Sequence, residues 1–170
     1  MGDKLSDVQK NKGVCGGSVN KPKKIKENNM GLTITSKIKD CNIELDGGYG
    51  MLMSIREEVA MQFDKEYGKH YVTLCQYRTA DEWKVFNKRT TEILSHERFK
   101  DEDKDLLDFL FASDCEGKIS YKTCKKVYDL LKNSKNKCCL RYAFYSKNDW
   151  DDLKELLLQC YKHKANLYWY

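Results

Sequence analysis

The chain reads as an α+β protein, mainly helical, with about five helices packed on a small sheet formed by the start (31–45) and end (166–170) of one domain. Three observations lead there. Helical apolar stripes recur through the middle of the chain. Alternating segments sit at its two ends, and one proline with 34% charged residues suits helices joined by short polar connections. At 170 residues, with 41% hydrophobic and 12% aromatic side chains, the chain can bury a core of ordinary size.

Residues 1–29 read as a flexible basic arm, and 30–170 as a single globular domain. The arm carries Lys4, Lys10, Lys12, Lys21, Lys23, Lys24 and Lys26 against Asp3, Asp7 and Glu27, a net of +4 out of +5 for the chain. With so few large apolar groups it cannot offset the entropy of ordering.

Gly31–Thr35 alternates apolar and polar with β-branched residues and predicts a strand. Cys41–Leu45 alternates similarly and is its expected hairpin partner, ended by Asp46-Gly47-Gly48. A helix is expected from about Gly50. Leu52, Ile55, Val59 and Phe63 form its apolar stripe, with Arg56, Glu57 and Glu58 on other faces. Tyr67–Tyr77 fits either helix or a short strand.

Thr79-Ala80-Asp81-Glu82 has the form of a capping box, in which hydroxyl and carboxylate each satisfy a free amide at a helix start. The helix it opens turns Trp83, Phe86, Thr90, Ile93 and Leu94 inward. Asp101-Glu102-Asp103 opens another, with Leu106, Leu107, Leu110 and Phe111 as its stripe. Ser120 is the expected N-cap of a helix that buries Cys124, Val127, Tyr128 and Leu131. Asn133–Lys137 is a polar linker, and Cys138–Tyr145 is apolar but too short to assign. Ser146–Asp149 caps the last helix, with Trp150, Leu153, Leu157, Cys160 and Tyr161 inward. The aromatic close, Asn166–Tyr170, is expected to pack as a strand beside 31–35.

The segment Ser113–Ser120 looks like a degraded calcium loop. With Gly117 at position six, Asp114, Glu116 and Ser120 fall on ligand positions three, five and nine, and Ile119 on the hydrophobic eighth. Ala112 and Thr123 occupy the first and last positions, where the two decisive carboxylates belong. An ion needing ~6–8 oxygens finds few here. The plainer reading is a helix–turn–helix corner capped by Asp114 and Ser120.

Several chemistries lack their residues. No apolar run approaches the ~18 residues of a membrane span. The N-terminus has no signal-peptide core, so a cytoplasmic location is expected, with reduced thiols. The eight cysteines include no pair two apart, which argues against zinc. Gly47-Gly48-Tyr49-Gly50 lacks the lysine and hydroxyl of a phosphate loop. No nucleophile elbow or paired metal-ligating histidines occur. The expectation is therefore no enzyme and no cofactor.

Binding fits better. Lys21, Lys23, Lys24 and Lys26 of the arm suit phosphate-backbone contact, though they equally suit a solvated tail. Lys122, Lys125, Lys126 and Lys132 with Tyr121 and Tyr128 suit a basic, aromatic helix face, or simply a wet one. Tyr142, Tyr145, Tyr168, Trp169 and Tyr170 suit either an aromatic contact surface or core packing.

Met30-Gly31-Leu32 at a strand start, the glycine/aromatic turn before Ile55-Arg56, the Ser113-Asp114-Cys115-Glu116-Gly117 turn with Ile119, Ser120 and Cys124, and the aromatic C-terminal strand together carry a resemblance. Over 30–170 the chain resembles a group of small uncharacterised bacteriophage and prophage proteins. The resemblance implies no activity. It implies a phage or mobile-element setting, in which accessory proteins often counter host defences. The function expected is stoichiometric binding of a host protein or protein–nucleic acid complex, as an anti-CRISPR-like inhibitor. The alternatives are an oligomeric sponge for a signalling nucleotide and a degenerate EF-hand-like calcium module.

Overall fold

The computed structural model describes residues 31–134 and 147–170. The arm, with Lys21, Lys23, Lys24 and Lys26, and the segment holding Tyr142 and Tyr145 lie outside the described residues. The architecture is the expected mainly helical α+β, with six helices and a four-stranded antiparallel sheet among the described residues.

Strand β1 (Leu32–Ser36) buries Leu32 and Ile34 and turns Thr33 and Thr35 the other way. Strand β2 (Leu45–Gly47) pairs with it, Ile34 opposite Leu45 and Leu32 opposite Gly47. The hairpin was expected over Cys41–Leu45, but pairing begins only at Leu45. Asp40 adopts a left-handed φ of 67°, and the Cys41 amide donates to the Ile38 carbonyl, so the chain is still turning at Cys41. The C-terminal strand β4 (Leu167–Trp169) lies beside β1, joining the two ends of the domain as the sequence predicts.

Strand β3 (Gly117–Ile119) was not expected. It pairs with β4, giving the order β2-β1-β4-β3. The presumed helix–turn–helix corner is thus an edge strand, whose Ile119 reaches the core.

Helix α1 (Tyr49–Phe63) is the central element. Its predicted stripe is inside, but Arg56, Glu57 and Glu58 are buried too, at 2%, 5% and 5% exposure. A single apolar stripe suits a helix covered on one side. Here α2 (Lys65–Tyr71), α4 (Lys104–Leu110), α5 (Tyr121–Leu131) and β1 all pack against α1. Helix α2 resolves part of Tyr67–Tyr77, and a 3₁₀ turn at Leu74–Gln76 follows. Asp64 caps α2 by accepting from the Tyr67 amide at 2.8 Å. A Cβ at Gly68 would lie 2.5 Å from the Met61 Cα, so glycine permits the close approach of α2 to α1.

Helix α3 (Ala80–Leu94) begins with the predicted Thr79–Glu82 capping box. Only Phe86 and Ile93 of its stripe are fully buried, and Trp83 is 39% exposed. The helix leans on α2, where His70 stacks on Phe86 with ring centroids 4.2 Å apart. Trp83 only edges onto Phe86, at 5.7 Å.

A 3₁₀ turn at Asp101–Asp103 leads into α4, which buries Leu106, Phe109 and Leu110 and leaves Phe111 exposed. Ser120 caps α5 as expected, accepting from the Thr123 amide at 3.2 Å. Helix α6 (Lys147–Lys162) packs along α5. Leu156 takes the inner place expected for Tyr161, which is 41% exposed with Lys125 over its ring. Cys124 and Cys160 are buried free thiols, and their mutual hydrogen bond together with burial pushes Cys124 well above its ordinary pKa. Among the described residues no helix is long and apolar enough to cross a membrane.

Candidate functional site

Two features meet at β4. On its inner side is a polar latch. Arg56 projects from α1 under the sheet, with its guanidinium over the rings of Phe109 (5.4 Å) and Trp169 (5.7 Å). Its Nη1 donates to Asp114 Oδ1, and its Nη2 donates to the Ser113 carbonyl at 3.2 Å. The Trp169 Nε1 donates to the same carbonyl at 2.9 Å. Burial pulls the Arg56 pKa below its ordinary value, while Tyr71 and Asp114 oppose that shift.

This latch explains the residues that resembled a calcium loop. The cation held by Asp114 is the Arg56 guanidinium. Ser120 is committed to the start of α5, and Glu116 is exposed. Gly117 serves packing: a Cβ there would lie 2.1 Å from Trp169 Cζ2. Among the described residues, no three His, Cys, Asp or Glu side chains converge as a metal site.

On the outer side, strand alternation sends Tyr168 and Tyr170 away from the core while Trp169 goes in. Trp169 is 1% exposed, so its proposed place on a contact surface is corrected to a core position. Tyr168 is paired with Thr35 on one side and Lys118 on the other. The Lys37 ammonium lies over its ring, 4.9 Å from the centroid. Tyr170 exchanges both backbone hydrogen bonds with Thr33 and is 57% exposed. Thr33 in turn donates to Asp46 at 2.7 Å. Beside these rings an open cleft of about 440 Å³ is lined by Glu116, Gly117, Lys118, Tyr168, Trp169 and Tyr170.

The helix face predicted on α5 is less basic than its sequence. Lys126 pairs with Asp105, and Lys125 and Lys132 both pair with Asp129. Lys122 is exposed, whereas Tyr121 and Tyr128 are half-buried. The structure therefore separates the predicted binding residues: on α5 two carboxylates offset part of the charge of four lysines, while the sheet gathers Tyr168 and Tyr170 with two lysines the sequence reading did not single out. The available signal was alternation about Trp169. The positions of Lys37 and Lys118 depend on strand pairings that no local pattern reveals.

Compared with known proteins, the chain matches no family model, no curated protein and no solved structure.

Proposed function

We propose that this is a non-enzymatic accessory protein of phage or mobile-element origin that binds a host macromolecule stoichiometrically, as an anti-defence, anti-CRISPR-like inhibitor. The observation that carries the binding reading is the outer sheet face. Its Tyr168, Tyr170, Lys37 and Lys118 combine aromatic area with cationic groups, while the inner face holds the core. Tyrosines supply large contact area at low entropic cost, which suits a recognition surface. The phage setting rests on the sequence resemblance alone.

Titration against a reconstituted defence nuclease tests the proposal. A stoichiometric binder gives full inhibition near one molar equivalent, at enzyme concentrations well above Kd. Inhibition at a small fraction of an equivalent, growing with incubation time, would mean enzymatic turnover. No inhibition of any nuclease system that restricts the element would overturn the anti-defence reading.

A further inference from the structure

We infer that the outer face of the sheet is a binding site for single-stranded nucleic acid, with Tyr168 and Tyr170 as stacking platforms and Lys37 and Lys118 as phosphate contacts. The inference deepens the binding-protein reading and rests on it.

Single strands bind where aromatic rings offer π-faces beside positive charge. The sheet supplies both. Tyr168 and Tyr170 lie two residues apart on the same side of β4, roughly 7 Å along the strand, so each ring can take its own base. Their neighbours across the sheet are the small Thr33 and Thr35; Tyr170 is exposed and Tyr168 half-buried. Tyr168 lies between the lysines of two strands, Lys37 beyond β1 and Lys118 on β3. The cleft beside them, about 440 Å³, is within the usual size range of ligand sites.

Charge favours an anion at one end of the face. Lys37 and Lys118 flank Tyr168, so the positive charge at this end of the face is local. The carboxylates lie at the other end. Asp46 accepts from Thr33 at the far edge strand, and Glu116 stands just before β3, beside Tyr170. That polarity orients the strand, with phosphates toward Lys37 and Lys118. Base amino groups then lie toward Glu116, which can accept from them. A duplex presents no free base faces to such a platform.

Fluorescence anisotropy with the full chain and a labelled, unstructured 12-nucleotide single strand tests the inference, with the matched duplex as control. The expected result is tighter binding of the single strand. Tyr170→Ala, at an exposed position, weakens binding about tenfold. Tyr168→Phe retains affinity because stacking survives. Lys118→Ala flattens the slope of log K against log salt by about 0.7. Three results would overturn the inference: no binding by the wild type, a preference for duplex, or affinity unchanged by both Tyr170→Ala and Lys118→Ala. Running the same variants in the nuclease titration separates the two claims. Inhibition that Tyr170→Ala abolishes, without oligonucleotide binding by the wild type, makes the face a protein contact; this inference falls and the function stands. Oligonucleotide binding without inhibition supports the site and removes the anti-defence role.

Discussion

Replacing Gly117 with alanine probes the latch directly. The added Cβ would sit 2.1 Å from Trp169 Cζ2 and 2.5 Å from Cε2. Reaching an ordinary carbon–carbon contact of ~3.5 Å requires a relative movement of about 1.4 Å. The indole resists that movement. Its Nε1 is hydrogen-bonded to the Ser113 carbonyl at 2.9 Å, Arg56 lies over its ring, and Phe109 packs edge-on against it with ring centroids 6.0 Å apart. Overpacking of this kind costs about 1–3 kcal/mol. A central value of about 2 kcal/mol lowers Tm by about 4–8 °C in a protein of this size. Urea denaturation followed by circular dichroism measures the loss. The same substitution in a Trp169→Phe background separates the causes, because phenylalanine has a single ring and lacks the fused part of the indole that carries Cζ2. The cost of Gly117→Ala should then largely vanish, leaving a coupling energy of about 1 kcal/mol or more. An equal cost in both backgrounds would refute the packing argument and return Gly117 to a backbone role.

Asp114→Asn removes the charged partner of buried Arg56. Because Asp114 is itself half exposed, the expected loss is about 1–2 kcal/mol, less than for a fully buried pair, and would appear in the same denaturation assay. Burial lowers the pKa of His70 below its usual 6.5, and nearby Arg89 adds to this, against an opposing hydrogen bond with the Phe86 carbonyl. A depressed base favours its neutral form in the folded protein. Its stabilisation is therefore present above pH 6.5 and is lost as pH falls through the lowered value. Tm should decline below pH 6.5, and His70→Gln should flatten that decline. Melting in calcium and in chelator should coincide, since Asp114 and Ser120 are already engaged by Arg56 and α5; stabilisation by calcium would reopen the EF-hand-like reading.

What the sequence displayed was chiefly local. The Thr79–Glu82 box, the Ser120 cap and the alternation of 31–35 each lie within a few residues, and each formed as read. The joining of the chain ends followed because two apolar-alternating segments needed partners. What it hid depended on distant neighbours. Gly117–Ile119 is too short and too polar to announce a strand, and it becomes one only because β4 lies alongside. Arg56 looked solvated on a one-sided helix and is buried because α1 is covered from several sides. At the candidate site, the outward tyrosines were legible from alternation. The neutralisation of Lys126 by Asp105, 21 positions earlier, was not. Nor was the convergence of Lys37 and Lys118 on Tyr168, which requires the strand order itself.

The most direct measurement of where this protein binds is an amide NMR titration of the full chain with the single-stranded oligonucleotide. Shifts concentrated at Thr33, Thr35, Lys118, Tyr168 and Tyr170 are expected, with α3 and α6 quiet. Shifts confined to the arm or to α5, or none at all, would contradict this site.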